Sequence, residues 1–182
     1  MIFQKYIAAG QGFMALCCIF YAAWWYIAYN PKTNVNPLGG TAAILFWITF
    51  ACGITGLYSN IYGIRNLIES RQFLLIGGAA YVALLAVTVL IFHRPVTAEL
   101  FLIVAWTTLE TAAIFAVFNE KIPPILPLII VGGAIFSIIS YLIYYLVDEW
   151  KAFYLGFFPL LFDAISAAII SISIIRRLRI FS

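Results

Sequence analysis

The chain has 182 residues, of which 65% are hydrophobic and only 9% charged, with a formal net charge of +3. A soluble domain has no use for so much apolar surface, and no polar segment is long enough to fold alone. The expectation is one membrane-embedded domain covering residues 1–182, an all-α polytopic protein with six transmembrane helices.

The first apolar run, 6–29, follows Lys5. It exceeds the about 7–15 residues of a signal h-region and lacks a small-residue cleavage site, so it reads as a retained span. Gln11, near its start, reads as an interhelical hydrogen-bond partner before a substrate ligand. Cys17 and Cys18 lie here and Cys52 in the second run, an odd set without Cys-x-x-Cys spacing. They predict neither a disulfide framework nor zinc; small packing residues are the plain reading.

Asn30-Pro31 through Gly39-Gly40 forms a turn region before the second span, 40–63. Thr49, Gly53, Gly56 and Asn60 share one small, weakly polar face of that span, as close helix approach requires. The charged stretch Arg65 to Arg71 leads to the third span, 72–92, which His93-Arg94-Pro95 closes. His93 is the only histidine and reads as a boundary residue before a pH sensor. The fourth span, 98–118, is followed by Pro123-Pro124, the fifth is 125–147, and Asp148-Glu149-Trp150-Lys151 separates it from the sixth, 155–175. Lipid cannot satisfy exposed backbone groups, so these spans are expected to be helices.

Orientation follows from lysine and arginine. With the amino terminus inside, Lys5, Arg65, Arg71, Lys121, Arg176, Arg177 and Arg179 collect on one side and Lys32, Arg94 and Lys151 on the other. The bias predicts both termini in the cytoplasm; the plasma membrane is the expected location. The terminal Arg-Arg-Leu-Arg reads as an orientation anchor, with lipid headgroups second; it is too small a cluster for nucleic acid.

The six spans divide into three hairpins whose first helices carry Gly10 with Gly12, Gly77 with Gly78, and Gly132 with Gly133. Leu75-Ile76-Gly77-Gly78-Ala79 recurs as Ile130-Val131-Gly132-Gly133-Ala134, and Trp47-Ile48-Thr49 is echoed by Trp106-Thr107-Thr108. An internal repeat is one explanation, and the repetitiveness of apolar sequence is the other. Small pairs at four-residue spacing, Ala8 with Gly12, Ala79 with Ala83, Ala112 with Ala116 and Ala164 with Ala168, suit close helix packing. Three hairpins with glycine-rich first helices and prolines at Tyr29-Asn30-Pro31 and Ile91-Phe92-His93-Arg94-Pro95 resemble the acid-resistance membrane proteins of the HdeD type. The resemblance implies a three-hairpin bundle and transfers no site residue. Acid-activated urea channels share the hairpin count, but their glycine-phenylalanine-threonine-tyrosine signature is missing here.

Two acids stand apart. Glu110 and Asp163 each lie within an apolar run with no lysine or arginine beside them, and a carboxylate there is costly enough to mark a site. Thr107 and Thr111 flank Glu110, and Ser166 follows Asp163 by three residues with Ser173 further along, so hydroxyls lie within reach of both acids. Desolvation penalises the charged forms, and neutral acids bonded to hydroxyls across a helix interface are the structural alternative. The depth of Asp163 depends on Pro159: a helix starting near Tyr154, kinked at the proline, puts it deep, whereas a start at Pro159 leaves it about one turn inside.

Trp24, Trp25 and Trp150, with Tyr26, Tyr29, Tyr141, Tyr144, Tyr145 and Tyr154, read as an interfacial belt at the outer side. Trp47 and Trp106 lie deeper, where an aromatic pocket above the carboxyls would need them. The expected ligand-binding set is therefore Glu110, Asp163, Thr107, Thr111, Ser166, Trp47 and Trp106, with Glu110 and Asp163 as the catalytic candidates, no metal and no cofactor. Binding or translocation of a proton, cation or small solute is the leading expectation, a transporter's substrate-binding subunit included. A membrane-embedded acid–base enzyme acting on a lipid or isoprenoid, and a structural or stress-response protein, are the alternatives. The expected partners are membrane lipid, the solute itself, and further copies or transporter subunits.

Overall fold

The computed structural model describes residues 2–28, 30, 32, 35–36, 39–64, 110–114, 117–118, 122–146 and 149–180. Among them the secondary structure is helical, without strands. Helix α1 is Ile2–Ala28, α2 is Gly40–Ile64, α3 is Ile125–Leu146 and α4 is Glu149–Ile180. A shorter helical segment covers 110–114 and 117–118. Three helical stretches are long and apolar enough to cross a bilayer: Gln4–Ala28, Gly40–Ile64 and Phe157–Leu178. The apolar stretch Ile125–Ser140 of α3 is shorter. The expected span 72–92, most of 98–118, the glycine pair Gly77–Gly78 and His93 lie outside the described residues.

Cross-helix contacts give the directions. Tyr6 meets Tyr62 at a ring separation of 4.8 Å and Trp24 meets Phe46 at 5.6 Å, so α1 and α2 run antiparallel. Between α1 and α4, Ser171 Oγ donates to the Ala8 carbonyl at 2.9 Å, while Trp25 and Ala22 pack with Leu160 and Phe157 at the other end. These two helices are antiparallel as well. The segment from Glu110 to Phe118 runs alongside α4, with Glu110 at Ser166 and Phe118 at Arg177.

One end of the bundle is therefore built from the start of α1, the ends of α2 and α4, residues 112–114 and 117–118, and the start of α3. Ile7, Ala8, Ile64, Val117, Phe118, Leu126, Ile170 and Ile174 form a single buried cluster there. Lys5 and Arg176 are exposed at that end, and Arg177 lies over the Phe118 ring at 5.1 Å with Nη1 donating to its carbonyl at 3.5 Å. Lys32 sits in the connection at the opposite end, where Asn30 Oδ1 accepts from the Lys32 amide at 3.0 Å. Gly40 opens α2 at φ +52°, a left-handed backbone suited to glycine.

The small face expected on α2 is the α1 interface. A Cβ on Gly56 would lie 2.9 Å from Met14 Cγ and 3.1 Å from the Gly10 carbonyl oxygen, and one on Gly53 3.2 Å from Cys17 Sγ. A Cβ on Gly10 would collide with the Asn60 amide. Backbones approach this closely only where side chains are missing. The rest of α2 faces outward: Ile44, Trp47, Phe50, Ile54, Leu57, Tyr58 and Ile61 are exposed. Two of its threonines turn their hydroxyls back onto the chain, Thr49 to Leu45 O and Thr55 to Ala51 O, both at 2.8 Å. Such back-bonding spares these two hydroxyls an unsatisfied exposure to lipid.

Burial and helix bounds decide two sequence expectations. Trp24 and Trp25 were expected in an interfacial belt, but they are 7% and 4% exposed and pack inside the bundle, Trp24 stacked on Tyr21 at 5.5 Å. A tryptophan near a helix end joins a belt only where no neighbouring helix covers it, and here α2 and α4 do. Helix α4 begins at Glu149 and runs through Pro159, so the earlier of the two starts is correct.

Candidate functional site

Of Glu110 and Asp163, Glu110 is the more deeply buried, 3% exposed in a largely apolar core. The helical segment that carries it places Ala113, Ile114 and Val117 one and two turns further along on the buried side. The carboxyl is thereby aimed at α4. There Ser166 Oγ lies 3.0 Å from Glu110 Oε1 and also 3.1 Å from the backbone carbonyl of Asp163, one turn earlier in its own helix.

A serine hydroxyl has one hydrogen, and here it has two acceptors. With Glu110 ionised, the hydrogen goes to the carboxylate and the Asp163 carbonyl keeps only its helical bonding. With Glu110 protonated, the carboxyl O–H donates to Ser166 Oγ, which frees the serine hydrogen for the Asp163 carbonyl. Both arrangements use the same oxygen positions. Ser166 thus changes its bonding with the proton on Glu110 and needs only a hydroxyl rotation to do so.

Asp163 itself is half-buried, six residues after Phe157 at the start of the apolar stretch of α4, or about 9 Å along the axis. Cys18, fully enclosed on α1, lies within electrostatic reach of both Asp163 and Glu110. Three elements therefore converge: α1 through Cys18, the Glu110 segment, and the Asp163–Ser166 turn of α4. The site contains no group of three or more His, Cys, Asp or Glu arranged to hold a metal among the described residues.

Of the residues expected from sequence, Glu110, Ser166 and the Asp163 turn are brought together. Thr111 is half-buried next to Glu110 in the chain and engaged in contacts of its own. Thr107 and Trp106 lie outside the described residues. Trp47 does not join the site: it is 62% exposed and its ring neighbours are Phe46 and Phe50 of its own helix, at 5.5 and 5.9 Å. The reason is register, since α2 turns Gly53, Gly56 and Asn60 toward α1 and Trp47 falls off that face. Ser173, expected to continue the hydroxyl line, is half-buried, and Ser171 is the buried serine that reaches α1.

A second polar cluster lies between α1 and α2. Gln11 Nε2 donates to Asn60 Oδ1 at 3.1 Å, and Asn60 Nδ2 donates to the Gly56 carbonyl at 2.8 Å and to Met14 Sδ at 3.2 Å. Both amides are fully buried. Gln11 is an interhelical partner, as its sequence position suggests; that Asn60 meets it needed the antiparallel register of α1 and α2.

No family model matches the chain, and neither a curated protein nor a solved structure matches it. The resemblance to acid-resistance proteins of the HdeD type gains no support from these comparisons.

Proposed function

We propose that this chain is a multi-pass membrane protein, with six spans and both termini in the cytoplasm, that binds and passes protons at Glu110. Ser166 acts as the relay and Asp163 as the second carboxyl. The observation that supports this reading most is the Ser166 hydroxyl, poised between Glu110 and the Asp163 turn with one hydrogen for two acceptors. A carboxyl kept only for packing needs one fixed partner; a carboxyl that exchanges a proton needs a neighbour whose bonding is satisfied in both states. A buried acid in an apolar stretch is costly, and proton handling accounts for keeping it. A cation in place of the proton would use the same oxygens. The acid–base enzyme would need an aromatic enclosure over the carboxyls, and the exposure of Trp47 removes one wall of it.

The test is proton flux into vesicles holding the purified protein under an imposed potential. Glu110→Gln keeps shape and hydrogen bonding but carries no exchangeable charge. It is expected to lower flux by about tenfold or more, an increment of about 1.4 kcal/mol in barrier. Undiminished flux in Glu110→Gln and Asp163→Asn sinks the proposal.

A further inference from the structure

The α1–α2 amide cluster fixes its own orientation, and one atom is left over. The Gly56 carbonyl can only accept, so the Asn60 nitrogen must be the atom 2.8 Å from it. Asn60 Oδ1 is then the atom facing Gln11, which obliges Gln11 to present Nε2 there. Gln11 Oε1 is left buried with no donor, on a side chain that is 0% exposed. Flipping Gln11 does not help, because it would set two oxygens against each other. A buried carbonyl oxygen without a donor carries an uncompensated desolvation cost, and an apolar side chain of similar size would avoid it.

The position of this atom is informative. Gln11 and Cys18 are seven residues apart on α1, which returns to nearly the same face two turns along, about 10 Å. Cys18, a buried residue of α1, is within electrostatic reach of Glu110 and Asp163. Gln11 lies nearer the end of the bundle that carries Lys5 and Arg176, beside Ala8, whose carbonyl accepts from Ser171. Polar groups therefore continue past the Glu110 site on the inward-facing stripe of α1.

We infer that Gln11 Oε1 binds a buried water molecule that donates to it, and that this water lies further along the route of a proton leaving Glu110 toward the basic end. The second half rests on the proton-handling reading above; the water does not. Water is the smallest hydrogen-bond donor, and a buried water typically makes about two to four hydrogen bonds to otherwise unsatisfied polar groups.

The experiment is solid-state NMR on protein labelled with 13C at glutamine Cδ, in phosphatidylcholine–phosphatidylglycerol bilayers, with magnetisation transferred from water. Gln4, Gln11 and Gln72 are the only glutamines, and Gln11→Leu assigns the signal; Gln11→Met, unbranched and similar in shape, replaces it if the leucine variant unfolds. Gln11 Cδ is expected to receive magnetisation at short mixing times, although the side chain is enclosed. A dark Gln11 overturns the water whatever the flux. Flux in the same variant is expected to fall by about tenfold; a bright Gln11 with unchanged flux overturns the route. If the wild type carries no flux at all, the proton-handling reading fails, and a bright Gln11 still upholds the water.

Discussion

Ser166 and Glu110, separated by 56 residues in the chain, meet at 3.0 Å between hydroxyl and carboxyl oxygen across a buried helix interface. Ser166→Ala leaves the carboxyl without that partner in an apolar setting, so a loss of about 1–3 kcal/mol of stability is expected. The double variant Ser166→Ala with Glu110→Leu removes both partners and should recover most of it. Thermal unfolding in detergent checks both, and equal losses in the single and double variants would show that the contact is not what holds these helices.

Glycines separate by environment. Gly10→Ala drives a Cβ into the Asn60 amide and to 2.9 Å from its backbone nitrogen, so it is expected to cost about 1–3 kcal/mol and to loosen α1 from α2. Gly132→Ala meets nothing within 4 Å and should be neutral or gain about 0.5–1 kcal/mol from helix propensity. A comparison of unfolding midpoints decides it; similar losses in the two would refute this packing of α1 on α2.

Buried serines differ likewise. Ser171→Ala forfeits a 2.9 Å bond to the Ala8 carbonyl and is expected to cost about 1 kcal/mol. Ser137 Oγ is buried without a partner, so Ser137→Ala is expected to leave stability unchanged or raise it by up to about 1 kcal/mol. The sign of the second change is the critical reading.

Tryptophan fluorescence reports the lipid face. In single-tryptophan variants, brominated lipid should quench Trp47 strongly and Trp24 and Trp25 weakly, because the first is exposed and the others are enclosed by α2 and α4. Trp47→Ala should leave proton flux unchanged. A loss of flux in that variant would restore an aromatic role at the site.

At the basic end, Arg177→Gln removes both the ring contact and the bond to the Phe118 carbonyl and is expected to cost about 1 kcal/mol. Arg176→Gln, at an exposed position, should cost little. Equal effects would point to net charge instead of the Phe118 contacts.

The sequence by itself determined class and candidates. Apolar runs interrupted by Pro, Gly and charge dictate helices wherever lipid must be crossed, and the cost of an acid in such a run singles out Glu110 and Asp163 without any contact being known. The small face of α2 was legible too, because Gly53, Gly56 and Asn60 recur at helical spacing. Tertiary structure decided everything that depends on register between helices. Glu110 faces Ser166 across a helix interface, Asn60 meets Gln11, Ser171 and not Ser173 reaches α1, and Trp47 turns outward while Trp24 and Trp25 turn in. Helical periodicity names the residues that share a face; the neighbour of that face is chosen by how helices slide and rotate against each other, and that choice is made by the summed packing of many small side chains.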